Sequence, residues 1–211
     1  MALATYSDLQ TAITANWPNR TDLATIAPDI ITVAEAALNQ DSRVRSVQLR
    51  SITVSADNYD LPTDFKSLVS LSHDGTSYYG PIQIVGIGTL PLMKIQSGKT
   101  GAPRYAAVAG TASPQLRFAP VPDAAYTLKM TYDAKLVKLS DTDTTNWILT
   151  THPNIYLYAC LIEMERYLLE DDRAPMWQAA LEMALDKLNV YTQRMEFGGE
   201  IIRRPRQAYG G

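Results

Sequence analysis

Hydrophobic residues recur every three to four positions near both ends of this chain and every second position through its middle, so the change of period marks out three stretches. Tyr6, Leu9, Ile13 and Trp17 share one helical face, with Thr5 and Asp8 at capping-box spacing and Pro18-Asn19 as the stop. Thr21-Asp22-Leu23 opens a second helix. Its expected buried stripe is Ile26, Ile30, Val33 and Ala37, and Pro28 is expected either to kink it or to restart it at a first-turn position. At Asn39-Gln40-Asp41 the helical pattern runs out.

From Arg43 to Leu139 the alternation is that of strands. Val47 and Leu49, then Ile52 and Val54, predict a strand with a phase slip, and Asn58 to Pro62 predicts a turn. Phe65 to Leu71 and Tyr78 to Val85 flank His73-Asp74-Gly75-Thr76, whose Asp-Gly pair suits a tight turn, so a hairpin is expected there. Thr89 is expected to cap a short helix reaching Gln96. Arg104 to Ala109 and Gln115 to Ala119 read as a second hairpin. Tyr126, Leu128, Met130 and Tyr132 alternate with Thr127, Lys129 and Thr131, the clearest half-buried strand in the chain.

The helical period returns after the polar turn-former cluster Leu139 to Trp147, with Thr151-His152-Pro153 expected to supply a cap and a proline at a first helical position. Ile155, Leu157, Tyr158, Cys160, Leu161, Ile162, Met164, Tyr167, Leu168 and Leu169 occupy nearly every direction around this helix, interrupted mainly by Glu163, Glu165 and Arg166. An acidic break, Glu170-Asp171-Asp172-Arg173, starts another helix. Trp177, Leu181, Ala184 or Leu185, Leu188 and Tyr191 form its stripe, Met176, Ala180 and Met183 the shoulder, and Glu182, Asp186 and Lys187 the opposite face. The pair reads as an antiparallel helical hairpin. Two short N-terminal helices cannot bury their own stripes, so they are expected to share a core with it. The expected class is α+β: a helical core from 1–42 plus 140–195, an inserted antiparallel β region over 43–139, and an extended tail over 196–211.

Composition narrows the function. The chain is 46% hydrophobic without any run of about 18 apolar residues, and Met1 to Thr5 lacks the features of a secretory signal, so neither export nor a membrane is expected. A net charge of −3 and a pI near 5.4 argue against a general nucleic-acid binder. Cys160, the sole cysteine, is expected to be a buried thiol in a reducing cytoplasm.

Chemistry-bearing patterns fail one after another. His73 and His152 stand far apart, each beside a turn or a helix start, and signal neither a metal site nor a nucleophile–base pair. Asp141-Thr142-Asp143 begins like a calcium loop, but Asn146 and His152 occupy the positions that need glycine and an acid. Gly86-Ile87-Gly88 lacks the last glycine and the parallel context of a dinucleotide fingerprint, and Gly98-Lys99-Thr100 follows a helix instead of preceding one. Glu163, an acid within an apolar helix face, is expected to form a structural ion pair with Arg166, with an N-terminal helix, or with another copy. No catalytic residue, cofactor or metal is therefore assigned. The tail differs: glycines release it, Ile201, Ile202 and Tyr209 offer apolar anchors, and Arg203, Arg204 and Arg206 offer forked donors for carboxylates. Either it is a disordered terminus or it becomes ordered against a partner.

Tyr59-Asp60-Leu61-Pro62-Thr63-Asp64-Phe65, Tyr126-Thr127-Leu128 leading to Tyr132 and Leu136, Leu139-Ser140-Asp141 through Asn146-Trp147, and His152 through Ala159 with Glu163 together resemble head-to-tail adaptor (connector) proteins of tailed bacteriophages. The resemblance spans about Thr21 to Val190 and is to the type that joins portal to tail in short-tailed and related phages. It implies a virion structural protein of the neck, assembled in the host cytoplasm as a ring of twelve copies between the portal and a tail or nozzle protein. Genome DNA would pass through without specific binding, and Ile201, Ile202, Arg203, Arg204, Arg206 and Tyr209 would form the portal-docking segment. Other readings are another neck or tail-completion protein, a tail-associated enzyme, or a surface-binding module using Tyr78 and Tyr79.

Overall fold

A computed structural model describes residues 3–74, 80–169 and 172–196. In chain order its elements are α1 (Tyr6–Thr14), α2 (Leu23–Gln40), β1 (Val47–Val54), β2 (Asn58–Asp60), β3 (Phe65–His73), β4 (Gln83–Ile84), α3 (Leu90–Ser97), β5 (Tyr105–Ala109), β6 (Gln115–Ala119), β7 (Tyr126–Ala134), α4 (Trp147–Thr151), α5 (Pro153–Leu168) and α6 (Ala174–Glu196). The fold class is α+β. The chain divides into two compact units, one helical, up to Val44 and again from Leu136, and one β-rich, from Arg45 to Lys135.

In the helical unit α1 starts at a reciprocal cap. The Asp8 N–H donates to Thr5 Oγ1 at 3.2 Å while the Thr5 N–H donates to the Asp8 carboxylate at 3.0 Å. α2 runs as one helix through Pro28, which settles the alternative of a restart. Its buried stripe lies to one side of the expected one: Leu23, Ala27, Ile30, Ile31, Ala34 and Leu38 are buried, whereas Val33 and Ala37 are exposed. Ile26 is half-buried. Ala27 and Ala34, not Val33 and Ala37, complete the packed side of α2. α4, a short helix the sequence pattern does not announce, begins at Asn146, whose Oδ1 accepts the Leu149 N–H at 3.1 Å. Thr151 ends it with its hydroxyl turned back to the Trp147 carbonyl, so α5 starts without the expected Thr151-His152 side-chain cap, and Pro153 fills its first turn, where the missing N–H costs nothing.

All the long elements of this unit feed one core. Leu9 and Ile13 of α1, Leu23 and Ile31 of α2, Ile148 and Leu149 of α4, Tyr156 and Met164 of α5, and Leu185 and Leu188 of α6 are each at most 2% exposed. Burial of each such side chain is worth about 1.5–3 kcal/mol, which is how α1 and α2 hold against the C-terminal pair. Cys160 is a buried free thiol, its pKa pushed up chiefly by desolvation. On α6 the expected stripe holds for Ala184, Leu185 and Leu188, but Tyr191 is exposed, as are Met176 and Met183.

The β-rich unit contains two sheets around a second core. In the first, of order β1-β7-β3, β7 pairs antiparallel with both neighbours. β1 pairs with β7 in unbroken register from Val47 opposite Asp133 to Val54 opposite Tyr126, so the expected phase slip is absent. Ile52 and Val54 face the core, while Val47 and Leu49, on the other parity, are exposed. In the second sheet, of order β2-β6-β5-β4, β5 and β6 form the expected hairpin, and Asn58 to Asp60 is a strand instead of a turn. The arms of the expected Phe65–Val85 hairpin meet only near its turn, at the antiparallel Ser72–Pro81 bridge and the His73 N–H to Gly80 O and Ile82 N–H to Leu71 O bonds, and Gly75 and Thr76 of that turn lie outside the described residues; elsewhere β3 joins the first sheet and β4 pairs with β5 in parallel over Gln83 and Ile84. Thr89 sits at the start of α3 without donating or accepting a side-chain cap. Ile52, Leu71, Leu116, Phe118, Leu128 and Met130, drawn from both sheets, make the shared core.

Candidate functional site

The helical unit carries a buried polar hub on the segment by which the chain returns from β7. Glu35, a carboxylate only 2% exposed on α2, accepts the Leu139 N–H at 2.8 Å and the Tyr156 hydroxyl at 3.1 Å through the same Oε1. Asn146 donates through Nδ2 to the Tyr156 oxygen at 2.6 Å and to the Val137 carbonyl at 2.9 Å. One turn further along α2, Asn39 Oδ1 accepts the Leu136 N–H at 2.8 Å. These bonds satisfy backbone groups that have no ladder or helix partner, and so fix residues 136–146 against α2 and α5. Desolvation raises the Glu35 pKa above its ordinary value, with the Leu139 and Tyr156 bonds acting in the other direction. The Tyr156 phenol is pushed up, first by burial and then by the Glu35 charge.

A second constellation lies on the surface of the same unit. Arg43, just beyond α2, reaches Asp41 at 2.7 Å and, across more than a hundred residues of sequence, Glu182 at 2.7 Å and Asp186 at 2.9 Å on α6. Three carboxylates converge on one guanidinium, whose pKa they raise, Asp41 contributing most. Beside them a cleft of about 200 Å³ opens between α2, α5 and α6. Its floor is apolar, from Leu38, Ala159, Ile162 and Leu185, and its rim carries Asp41, Glu163, Arg166 and Glu182. Glu163 pairs with Arg166 at 2.6 Å, the first of the partners expected for it.

Sequence reasoning singled out Glu163 but missed the more deeply buried acids. Glu35 was legible in principle, since it sits four residues after Ile31 and three before Leu38, within the stripe once that stripe is phased correctly. Glu165, 1% exposed, faces inward on α5 and has Arg173 Nε 2.9 Å from Oε1, while the Arg173 guanidinium lies 5.0 Å from the Trp17 ring centre. The remaining candidates are structural where they are described. His73 Nε2 lies 2.8 Å from the Pro103 carbonyl oxygen and its ring meets Tyr126 edge-on. His152 meets Tyr191 in the same way, and the Asp143 N–H donates to Ser140 Oγ within a turn. Among the described residues no group of three His, Cys, Asp or Glu is placed to hold a metal ion, and no helix is long and apolar enough to cross a membrane. Ile201, Ile202, Arg203, Arg204, Arg206 and Tyr209, like Tyr78 and Tyr79, lie outside the described residues.

Charge is unevenly distributed along the chain. Residues 45–135 hold nine Lys or Arg against six Asp or Glu, whereas residues 1–44 and 136–196 hold seven against fifteen. Residues 197–211 reverse the sign again, with three arginines against Glu200. A family model described as the SU10 adaptor protein matches residues 4–204. The chain belongs to this phage adaptor family. The match takes in both compact units and reaches Ile201 to Arg204, stopping before Arg206 and Tyr209. No curated protein matches the chain. Membership of the SU10 adaptor family makes the protein a structural component of the phage particle that interacts with other head or tail proteins, and implies a non-enzymatic role.

Proposed function

We propose that this SU10-family adaptor forms a ring of about twelve copies that joins the portal to the tail of a short-tailed or related phage and lines part of the DNA channel. The observation that carries this reading is the family match over residues 4–204. The helical unit supports it, because the fifteen acids against seven bases of residues 1–44 and 136–196 suit a conduit along which a polyanion slides without sticking. Ile201, Ile202, Arg203, Arg204, Arg206 and Tyr209 are the proposed portal-docking segment, with arginine forks for carboxylates and apolar side chains for pockets that only the assembled portal offers. A tail or nozzle protein binds the opposite side of the ring, and assembly takes place in the host cytoplasm. No residue is assigned a catalytic role.

Removal of Gly199 to Gly211 tests the docking segment. Among the described residues the helical core ends at Leu188. The shortened chain is therefore expected to keep its melting temperature and lose attachment to the portal in a co-sedimentation assay. Attachment equal to that of the full chain would refute the docking role while leaving the ring untouched.

A further inference from the structure

We infer that the free edge of β1 pairs antiparallel with β1 of a second copy of this chain, about a two-fold axis at Leu49. The hydrogen-bond phase of the strand is the first reason. The Ala134 N–H donates to the Ser46 carbonyl at 2.9 Å, one step before Val47 stands opposite Asp133. In an antiparallel ladder residues of one parity bond to the neighbour and those of the other turn away, so Val47, Leu49, Ser51 and Thr53 aim their N–H and C=O groups off the sheet. Among the described residues none of these groups meets a partner, β1 has only β7 beside it, and all four residues are exposed. The other sheet edges are guarded. β3 is interrupted by register shifts at Phe65/Ser67 and Leu68/Ser70 and is met by Pro81, while β2 and β4 are three and two residues long. β1 is eight residues in unbroken register, with no proline and with Arg50 as its one charge.

Self-complementarity is the second reason. With the axis at Leu49, the outward-facing residues meet one another as hydrogen-bonded pairs: Leu49 lies opposite the partner's Leu49 and Val47 opposite the partner's Ser51, with about 5.5 Å between Cα atoms. The leucine side chains, each 69% exposed in the single chain, then cover one another beside Val47, and Arg50 faces the amide of the partner's Gln48 with no like charge opposite. An axis at Arg50 sets two guanidinium groups face to face, and one at Ser51 parts the leucines and lays Arg50 against the partner's Ile52. Strands this short bury on the order of 1,000 Å² in all, the low end for specific contacts, so the pair should depend on concentration, with a Kd of about 1–100 µM. The contact goes beyond the ring reading and does not depend on it. A two-fold pair cannot close a single ring, so it belongs to copies not yet in one, where it covers an edge that otherwise templates further strands.

The test uses the full-length protein alone, by sedimentation velocity from about 1 to 200 µM, a span that brackets the expected Kd. The mean mass should rise from one copy toward two. Leu49→Lys, which sets like charges opposite, and Ser51→Pro, which removes an N–H that β7 does not use, should each weaken the pair about tenfold or more, whereas Val69→Lys on the bulged β3 should leave it unchanged. On oxidation Leu49→Cys should give a disulfide-linked dimer and Ser51→Cys should not, since Cys160 is buried and only the residue on the axis meets its own copy. Should Ser51→Pro unfold, Leu49→Lys, at an exposed side chain, and the oxidation of Leu49→Cys still decide the matter. A single-copy mass throughout the range, association untouched by Leu49→Lys, or a Ser51→Cys dimer that forms faster than the Leu49→Cys one, would each overturn the inference.

Discussion

The buried hub offers the sharpest test of how the return segment is held. Replacing Glu35 by Ala removes the acceptor of two buried donors at once, the Leu139 N–H at 2.8 Å and the Tyr156 hydroxyl at 3.1 Å. An orphaned buried donor costs about 1–3 kcal/mol, and relief from burying a carboxylate offsets part of the total, so the net loss should be about 2–4 kcal/mol. Tyr156→Phe is the matched control. It leaves Asn146 bonded to the Val137 carbonyl and Glu35 bonded to Leu139, and should cost about 1 kcal/mol. In equilibrium urea unfolding followed by the helical far-ultraviolet signal, the first change should lower the midpoint by about 1 M or more and the second by less than half of that. A Glu35→Ala midpoint equal to or above that of Tyr156→Phe would refute the view that Glu35 organises residues 136–146.

Other expectations follow from the same geometry. The folded-state pKa of Glu35 is raised from 4.5, so the folded chain holds that proton more tightly than the unfolded one. Its contribution to stability is full below 4.5 and is lost as pH rises through the folded value. Glu35→Gln should abolish that slope, as read from urea midpoints across pH 4 to 8. Asp57 is shifted downward, first by its bond to Lys94 and also by Arg117, so its contribution is present above 3.8 and lost as pH falls through the lowered value. Asp57→Asn should therefore flatten the acid limb of the β-rich unit's pH profile. Phe118→Ala, at a site with no exposure in the β core, should cost about 3–5 kcal/mol by thermal unfolding. Thr5→Ala should remove the cap of α1 at a cost of about 1 kcal/mol, visible as faster hydrogen exchange at Leu9 and its neighbours.

What could be read from the sequence depended on how local each signal was. The Thr5–Asp8 cap, Pro153 and the β5–β6 hairpin each lie within a few residues, and each forms as expected. Alternation in β7 is equally plain because one of its faces is buried from Leu128 to Ala134. Errors arose where partners are distant. Val47 and Leu49 suggested a slip only because apolar residues on the outer face of an edge strand mimic a second phase. The Asp74-Gly75 signal points to the local contact between Leu71–His73 and Gly80–Ile82, but not to β7, more than fifty residues away, which β3 takes as its ladder partner. For the functional surface the limit is similar. Arg43 meets Glu182 and Asp186 across about 140 positions, a pairing that no spacing rule anticipates. An interface protein also exposes its working groups to partners instead of to one another, so the family match carries more functional information than any cluster of side chains.

The central claim, that this SU10-family protein links portal and tail as a ring, is tested most directly by electron microscopy of the purified chain mixed with the portal assembly of the same phage. Twelve-fold density for the adaptor seated coaxially on one face of the portal, with an open channel through both, is the predicted result. Portal rings that stay bare at saturating adaptor, or adaptor attached off-axis in copies that leave the channel outside the complex, would contradict it.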